Sequence, residues 1–283
     1  PLTLYADKLQ ESNNLIEELM LLSNKTIAQI IMDKFPNESV LRVHPPPENS
    51  IKLVVKILNS YGYKVDPSSS SSITKSLCQL AEMHGSDIKN TVAFFLSKPF
   101  LPASYVYSGS FNKTDKSDIY SVYHHYGLNF DLYAHFTSPI RRYPDILVHR
   151  LLLSSTEETV DILDSKSRDM DMLIELCNQR NKAATMVGKD SDLYNLWLYI
   201  RAHGSLTCKG IIIPEVYVPV RNKKATPRVL ILPYCLPLFL HASVLNDSTV
   251  PYFKIIDLLV SVDSAIQPHR STISPFKIEI LAS

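Results

Sequence analysis

Apolar residues recur at helical spacing through the N-terminal two thirds of the chain. Apolar residues return at helical spacing in residues 13–34, 51–61, 73–83 and 165–186, where the last segment repeats through Met170, Leu173, Ile174 and Cys177. That repeat is typical of amphipathic helices that bury one side. Three prolines exclude a helix from VLRVHPPP at 40–47, which we expect to be extended. Residues 1–203 are therefore predicted to form a mainly helical region.

The pattern changes after about residue 204. Short runs rich in β-branched and aromatic residues are separated there by Pro, Asn and Ser: LTCKGIII, EVYVPV, RVLIL, CLPLFLHA, FKIIDLLVSV and FKIEIL. Such runs are typical of β-strands. About six strands in so short a segment fit a small closed or partly open barrel, of which the OB-fold is the commonest RNA-binding version. The predicted fold class is α+β, with an all-β barrel domain at 204–283.

The composition of the chain argues against several classes of protein. The net charge of +1 does not mark a strongly basic nucleic-acid binder, so any basic surface must be local. The four cysteines form no C-x-x-C pair, which argues against a zinc ribbon or a disulfide framework and favours a reducing compartment. No apolar run approaches the roughly 18–20 residues that span a bilayer, so we expect no membrane association.

The most informative segment is residues 133–153, YAHFTSPIRRYPDILVHRLLL. Its first aromatic residues suit the end of a strand. Thr137 or Ser138 can then cap a helix, with Pro139 at the first helical position. Arg141 and Arg142 are thereby predicted in the first turns, beside free backbone amides and the positive end of the helix dipole. This arrangement is typical of an anion site, and phosphate is the commonest anion. Pro144 interrupts the run, and it either kinks this helix or restarts it one turn later.

The residues alone leave a second interpretation open. The two arginines can equally be solvated or neutralised by local carboxylates such as Asp145, which also stands four residues before His149 and can pair with it on one helix face. The basic residues of the barrel region are similarly ambiguous, since they form either a groove that follows a nucleic-acid backbone or a solvated loop. They are Lys209, Arg221, Lys223, Lys224 and Arg228.

Two sets of metal-ligand types are discounted. His124 and His125 have no carboxylate or cysteine at ligand spacing. Asp164, Asp169 and Asp171 form a D-x4-D-x-D pattern, but Asp169 and Asp171 fall in a predicted helix, where their carboxylates point about 200° apart and cannot share an ion. We predict no metal ligand in this chain.

Residues 135–152 resemble, without a gap, the signature H-F-T-S-P-I-R-[RK]-Y-x-D-x-x-x-H-R-x-L of the ribonuclease II / ribonuclease R (RNB) exoribonuclease family. Other segments are similar to family motifs: I-E-E-x-M-x-x-x-N at 16–24, L-R-x-H-P-P-P at 41–47, H-Y-G-L at 125–128 and C-N-x-R at 177–180. The resemblance covers roughly residues 10–200 as the later part of the catalytic domain. It extends more loosely over 205–283 as the OB-fold that follows it.

The resemblance implies a processive 3′→5′ exoribonuclease that hydrolyses single-stranded RNA to nucleoside 5′-monophosphates by two-metal Mg²⁺ chemistry. By the same resemblance Arg141 grips the scissile or neighbouring phosphate, with Arg142 as the second choice. Ser138 acts mainly through its cap, and Tyr143 either stacks on RNA or packs.

The helix at 13–34 supplies two further candidates. The resemblance places Glu17 or Glu18 toward the RNA 3′ end, without settling which. From the residues alone, both are equally explained as surface glutamates that favour the start of a helix.

One departure from the family matters. Its acid cluster, D-P-x-x-x-x-D-x-D-D, occurs nowhere in the chain, so the Mg²⁺ ligands of the family enzyme are not present. We therefore expect a C-terminal portion of an RNB enzyme, through truncation, a split gene or an incomplete gene model, that works with a missing N-terminal half and is inactive alone. A noncatalytic RNA-binding module or pseudoenzyme stays open, as does a structural helical subunit, which predicts no salt-dependent RNA affinity.

The resemblance also bears on lineage and location. LRVHPPP and the segment after the signature look more similar to eukaryotic members of the family than to bacterial ones. This favours a cytoplasmic enzyme and leaves open the exosome's catalytic subunit, and thus association with the exosome.

Overall fold

The computed structural model describes residues 3–5, 10–47, 50–110, 122–156, 167–214, 227–240, 252–263 and 274–281. The chain folds as two compact units. The signature unit comprises Lys8–Pro46 and Leu101–Ala184, and the sheet unit comprises Pro1–Asp7, Pro47–Phe100 and Thr185–Ser283. The division into domains at 203/204 stays a prediction.

The described helices are α1 (Glu11–Lys34), α2 (Ser50–Ser60), α3 (Ser70–His84), α4 (Ser86–Leu96), α5 (Tyr143–Ser154) and α6 (Ser167–His203). The described strands are β1 (Val40–Val43), β2 (Ser104–Tyr107), β3 (Ser205–Ile213), β4 (Arg228–Ile231), β5 (Leu236–Phe239), β6 (Ile255–Val262) and β7 (Phe276–Ile280). Five of the six predicted barrel strands are present, and EVYVPV lies outside the described residues. The α+β prediction is confirmed.

The signature unit packs α1, α5 and the start of α6 against a two-stranded ribbon. In the ribbon, β1 and β2 run antiparallel, with Val40 opposite Tyr107. The buried stripe of α1 is Asn24, Ala28 and Ile31, whereas the apolar residues of its first turns, such as Leu15 and Leu19, are exposed. The core of this unit therefore lies under the C-terminal half of α1.

The sheet unit contains a curled antiparallel half-barrel with strand order β5-β4-β3-β6-β7. Alternate residues of β3 face opposite sides, as a pleated strand requires. Ile211 and Ile213 pack with the core of α2, α3 and α4, and Ile212 packs with Trp197 near the end of α6. Apolar groups thus cover both faces of the central strand. This is why residues 211–213 are three consecutive isoleucines and do not alternate between apolar and polar side chains.

Local signals set several helix ends. Gln10 and Asn13 form a reciprocal capping box at the start of α1, and the Ser69 side chain accepts a hydrogen bond from the Ser72 amide at the start of α3. Gly85 joins α3 to α4 with φ of 86°, a conformation that L side chains avoid. Among the helices in the described ranges, none is both long enough and apolar enough to cross a membrane.

Candidate functional site

The helix of the signature begins later than the sequence predicts. It starts at Tyr143, with Arg142 as its extended N-cap and Pro144 in its first turn, so the predicted start at Pro139 is wrong and the alternative start at Pro144, one turn later, is confirmed. The amides of Arg141 and Arg142 donate to the Ser138 carbonyl at 3.2 and 3.1 Å, which makes 138–142 a turn. The two arginines therefore precede the helix, and the predicted strand end at 133–136 is also not formed.

Asp145 explains this shift. Its side chain is fully buried, and its Oδ2 accepts hydrogen bonds from the Ser138 amide and from Arg142 Nη2, both at 2.7 Å. The carboxylate of Asp145, seven residues along the chain, thus accepts the hydrogen bond of the Ser138 amide. Ser138 therefore contributes to the site through its backbone N–H group, and its side chain does not cap the helix. Arg142 is correspondingly neutralised. The possible pairing of Asp145 with His149 is wrong, because His149 Nε2 bonds the Phe136 carbonyl at 2.8 Å and its ring stacks on Phe136.

Asn24 of α1 fixes the other end of the turn. Its Oδ1 accepts from the amides of Phe136 and Thr137 at 2.9 and 3.2 Å, and its Nδ2 donates to the Tyr133 hydroxyl at 3.0 Å. Asn24 is 3% exposed. Each of these polar groups would otherwise be partly buried without a partner, which is costly. The asparagine that ends I-E-E-x-M-x-x-x-N is thus a structural anchor, a role that sequence reasoning missed.

Arg141 differs from Arg142 in both exposure and partners. Its side chain is exposed, and among the described residues no carboxylate forms an ion pair with it. It lines a cavity of about 600 Å³ between the signature turn and α6. The lining residues are Tyr105, Arg141, Arg142, Tyr143, Pro144, Leu173, Leu176, Cys177, Arg180, Asn181 and Ala184. The described lining holds three guanidinium groups and no carboxylate.

The predicted site residues are therefore only partly brought together. Arg141, Arg142 and Tyr143 line this cavity, and Tyr143 is 43% exposed. Ser138 is not part of the cavity lining, and its amide donates a hydrogen bond to Asp145. Glu17 and Glu18 are exposed in the first turns of α1 and are not part of the cavity lining.

Only two of the five basic residues proposed for the barrel region are described. Arg221, Lys223 and Lys224 lie outside the described residues, whereas Lys209 and Arg228 belong to β3 and β4. The guanidinium of Arg228 packs on the Phe239 ring at 4.4 Å.

Behind the cavity wall is a fourth guanidinium, that of Arg42, which is not among the predicted site residues. Arg42 of β1 lies over the Tyr105 ring, 4.4 Å from its centroid, and donates from Nη1 and Nη2 to the Asn181 side-chain oxygen at 3.3 and 3.2 Å. One turn earlier on α6, the Asn178 side chain bonds both the amide and the carbonyl of Tyr105, at 2.7 and 2.9 Å. The C-N-x-R motif at 177–180 was the available signal for these contacts.

A ladder of aromatic rings continues from Tyr105 into the unit. The Tyr105 hydroxyl is 2.8 Å from His135 Nδ1, and His135, Tyr133 and His125 follow with ring centroids 5.4 to 5.6 Å apart. Burial lowers the pKa of His135 to about 3, with Arg142 and Arg42 adding to the effect. Burial likewise lowers the pKa of His125 to about 4. Both imidazoles are therefore neutral at pH 7.

The described residues do not fit a metal site. Among them, no three His, Cys, Asp or Glu side chains are grouped so that they hold an ion. The one carboxylate at the signature, Asp145, already binds Arg142 and the Ser138 amide. The described side chains at this site therefore offer hydrogen-bond donors and positive charge to a ligand.

The sequence of the chain matches that of a known protein family. Residues 1–158 match the RNB domain, so the chain is a member of the RNB family. The chain is 37% identical over 191 residues to DIS3-like exonuclease 2 of Schizosaccharomyces pombe, a match that covers 67% of the chain and 20% of that protein. It is 31% identical over 229 residues to exosome complex exonuclease RRP44 of Homo sapiens, covering 80% of the chain and 22% of that protein.

Solved structures share the fold. Mycoplasma genitalium RNase R in complex with ribose-methylated single-stranded RNA superposes with a TM-score of 0.68 at 17% identity, over 90% of this chain and 40% of that one. Yeast Ssd1, described as a pseudonuclease, gives a TM-score of 0.61 at 20% identity, over 87% of this chain and 29% of that one. The chain spans about a fifth of the length of the two curated relatives above. Exonuclease relatives connect the family with RNA degradation.

Proposed function

We propose that the chain forms the phosphate-holding part of a 3′→5′ exoribonuclease that degrades single-stranded RNA to nucleoside 5′-monophosphates. One observation carries the proposal: Asp145 neutralises Arg142, whereas Arg141 stands exposed in the cavity without a described carboxylate partner. RNA is the partner that this donor set suits, because phosphate oxygens accept hydrogen bonds and carry negative charge.

The two arginines then have different tasks. Arg142 ties the turn to the start of α5, and this fixes the backbone from which Arg141 projects. Arg141 meets a backbone phosphate and stabilises charge that develops on it during hydrolysis. Arg180, also exposed on the cavity wall, adds a second cation for the same strand, and Tyr143 offers a ring face for a base.

The hydrolytic step itself needs groups beyond the described residues. Exonuclease relatives imply a divalent metal, and we propose Mg²⁺, which in such enzymes activates water and carries charge on the reacting oxygens. The described donor set offers no site for it. We assign no step of the reaction in this chain to a metal. A cytoplasmic location is part of the same proposal.

RNA binding is tested by fluorescence anisotropy with a labelled oligo(U). Replacing Arg141 by Gln should weaken binding about tenfold, the effect of one hydrogen bond to a charged group. It should also reduce the salt slope by about 0.7, since one phosphate contact is lost. Arg150→Gln is the matched control, because Arg150 belongs to the same signature and is exposed but does not line the cavity. Equal binding by both variants and the unsubstituted chain contradicts the proposal.

A noncatalytic RNA-binding module is the second candidate. The absence of a grouped donor set for a metal among the described residues favours it. The sequence encoded upstream of residue 1 separates the two candidates, because the chain alone is expected to leave RNA uncut in either case. The acid cluster D-P-x-x-x-x-D-x-D-D in that sequence supports the enzyme, and its absence there supports the binding module. Association with the exosome is a further possibility that follows only from the enzyme.

A further inference from the structure

A phosphate group alone does not explain the cavity beside Arg141. The cavity volume of about 600 Å³ lies within the range of about 300–1,000 Å³ that is typical of pockets for drug-sized molecules. The described lining also contains apolar side chains that an anion does not require, those of Pro144, Leu173, Leu176 and Ala184. The size and the lining therefore fit a ligand that carries an apolar part next to its negative charge.

One face of α6 supplies most of this apolar wall. Leu173, Leu176, Arg180 and Ala184 follow one another at spacings of three or four residues, so they lie on the same side of the helix. Arg180 stands one turn after Leu176, about 6 Å further along the helix axis. The face thus presents an apolar turn and then a cationic turn to the cavity. The signature segment repeats this combination, because Arg141 and Tyr143 line the same cavity.

Leu176 is the residue of this wall that internal packing does not explain. It is 47% exposed, and it is not among the residues packed against the core of the signature unit, whereas Leu173 and Cys177 are. Arg180 is exposed as well, and no described carboxylate forms an ion pair with it. A single exposed leucine is ordinary on a protein surface. Its place in one cavity with two exposed arginines is what points to a ligand.

We infer that this cavity binds a whole nucleotide of RNA and that Leu176 is the residue that contacts its base. This inference rests on the proposed function and extends it from the phosphate to the base. Arg141 and Arg180 hold the phosphate, while the side chain of Leu176 covers part of the base and the ring of Tyr143 supplies a further contact. Contacts to the face of a base are tolerant of sequence, because every base has such a face. The cavity therefore distinguishes RNA from a ribose-phosphate backbone without bases.

Fluorescence anisotropy with two labelled probes tests the base contact. One probe is oligo(U), and the other is an oligomer of the same length whose ribose-phosphate units carry no bases. Leu176→Ala should weaken the binding of oligo(U) about fivefold, because it removes apolar surface that the base covers. It should leave the affinity for the abasic probe unchanged. The matched control is Met172→Ala, at an apolar position of the same helix that is 70% exposed and does not line the cavity.

Failure of this inference can be told apart from failure of the proposed function. Arg141→Gln should weaken the binding of both probes, because both carry phosphates. If Leu176→Ala weakens both probes equally or neither of them, while Arg141→Gln still weakens both, only the base contact is overturned. Equal affinity of the unsubstituted chain for the two probes overturns it likewise. If Arg141→Gln affects neither probe, the proposed function is overturned as well.

Discussion

Replacing Asp145 by Asn tests whether this carboxylate organises the signature turn. Asparagine has nearly the same shape but no charge. The carboxylate is fully buried and receives two hydrogen bonds of 2.7 Å, from the Ser138 amide and Arg142 Nη2. The substitution removes the only described counter-ion of Arg142, whose side chain is 19% exposed.

The size of the effect follows from this burial. Breaking a buried ion pair by removing one partner costs about 3–5 kcal/mol. The partial exposure of Arg142 lets water compensate in part, and the asparagine oxygen can still accept from Ser138. We therefore expect a loss of about 3 kcal/mol in the free energy of unfolding of the signature unit. At about 2–4 °C per kcal/mol for a protein of this size, the melting temperature should fall by roughly 6–12 °C.

The measurement must report on the signature unit itself. The single tryptophan, Trp197, belongs to the sheet unit, so its fluorescence does not observe the turn directly. Hydrogen–deuterium exchange of peptides covering 136–153, measured over a series of urea concentrations, observes the turn directly. Asp131→Asn is the control, because its side chain is 79% exposed and such pairs contribute little. If the free energy of opening of these peptides in the Asp145→Asn variant lies within about 0.5 kcal/mol of its value in the unsubstituted chain, the carboxylate does not stabilise the turn.

Two further substitutions probe the surroundings of the turn. The pKa of His135 is about 3 when folded and 6.5 when unfolded. The unfolded chain therefore takes up the proton first, and stability is lost as the pH falls below 6.5. Between pH 7 and pH 5 this loss is about 2 kcal/mol, and urea midpoints of His135→Gln should show a correspondingly weaker pH dependence, with residual dependence from groups such as His125. Asn24→Ala leaves the Phe136 and Thr137 amides without their acceptor and should cost about 2–3 kcal/mol in thermal unfolding, whereas Asn14→Ala on the exposed side of α1 should cost under about 0.5 kcal/mol.

Sequence patterns predicted the elements better than their surroundings. Periodicity located α1 correctly, because helical spacing is a local property of the chain. It did not show that Leu15 and Leu19 would be exposed while Asn24 is buried, since burial depends on which other elements pack there. Continuous apolar runs in β3 gave the strand, and the layers on both of its faces became visible only with the packing of α4 and α6.

The start of the signature helix shows a second limit. Thr137, Ser138 and Pro139 form a strong local start signal, yet the helix begins at Tyr143. The deciding contact joins the Ser138 amide to Asp145, and a local rule does not include it. The same contact assigns the two arginines different roles that the doublet alone left undecided. The contribution of Arg42 was similarly out of reach, because it depends on pairing β1 with β2 and on the amide of Asn181 from a distant helix.

We expect Arg141, and not the neutralised Arg142, to contact the phosphate of RNA. NMR of arginine side-chain Nε–Hε groups during titration with a short oligo(U) tests this directly, with assignments from Arg141→Lys and Arg142→Lys. We expect the Arg141 signal to shift in proportion to bound RNA while the Arg142 signal, held at Asp145, stays in place. A shift of Arg142 with an unchanged Arg141 contradicts the claim.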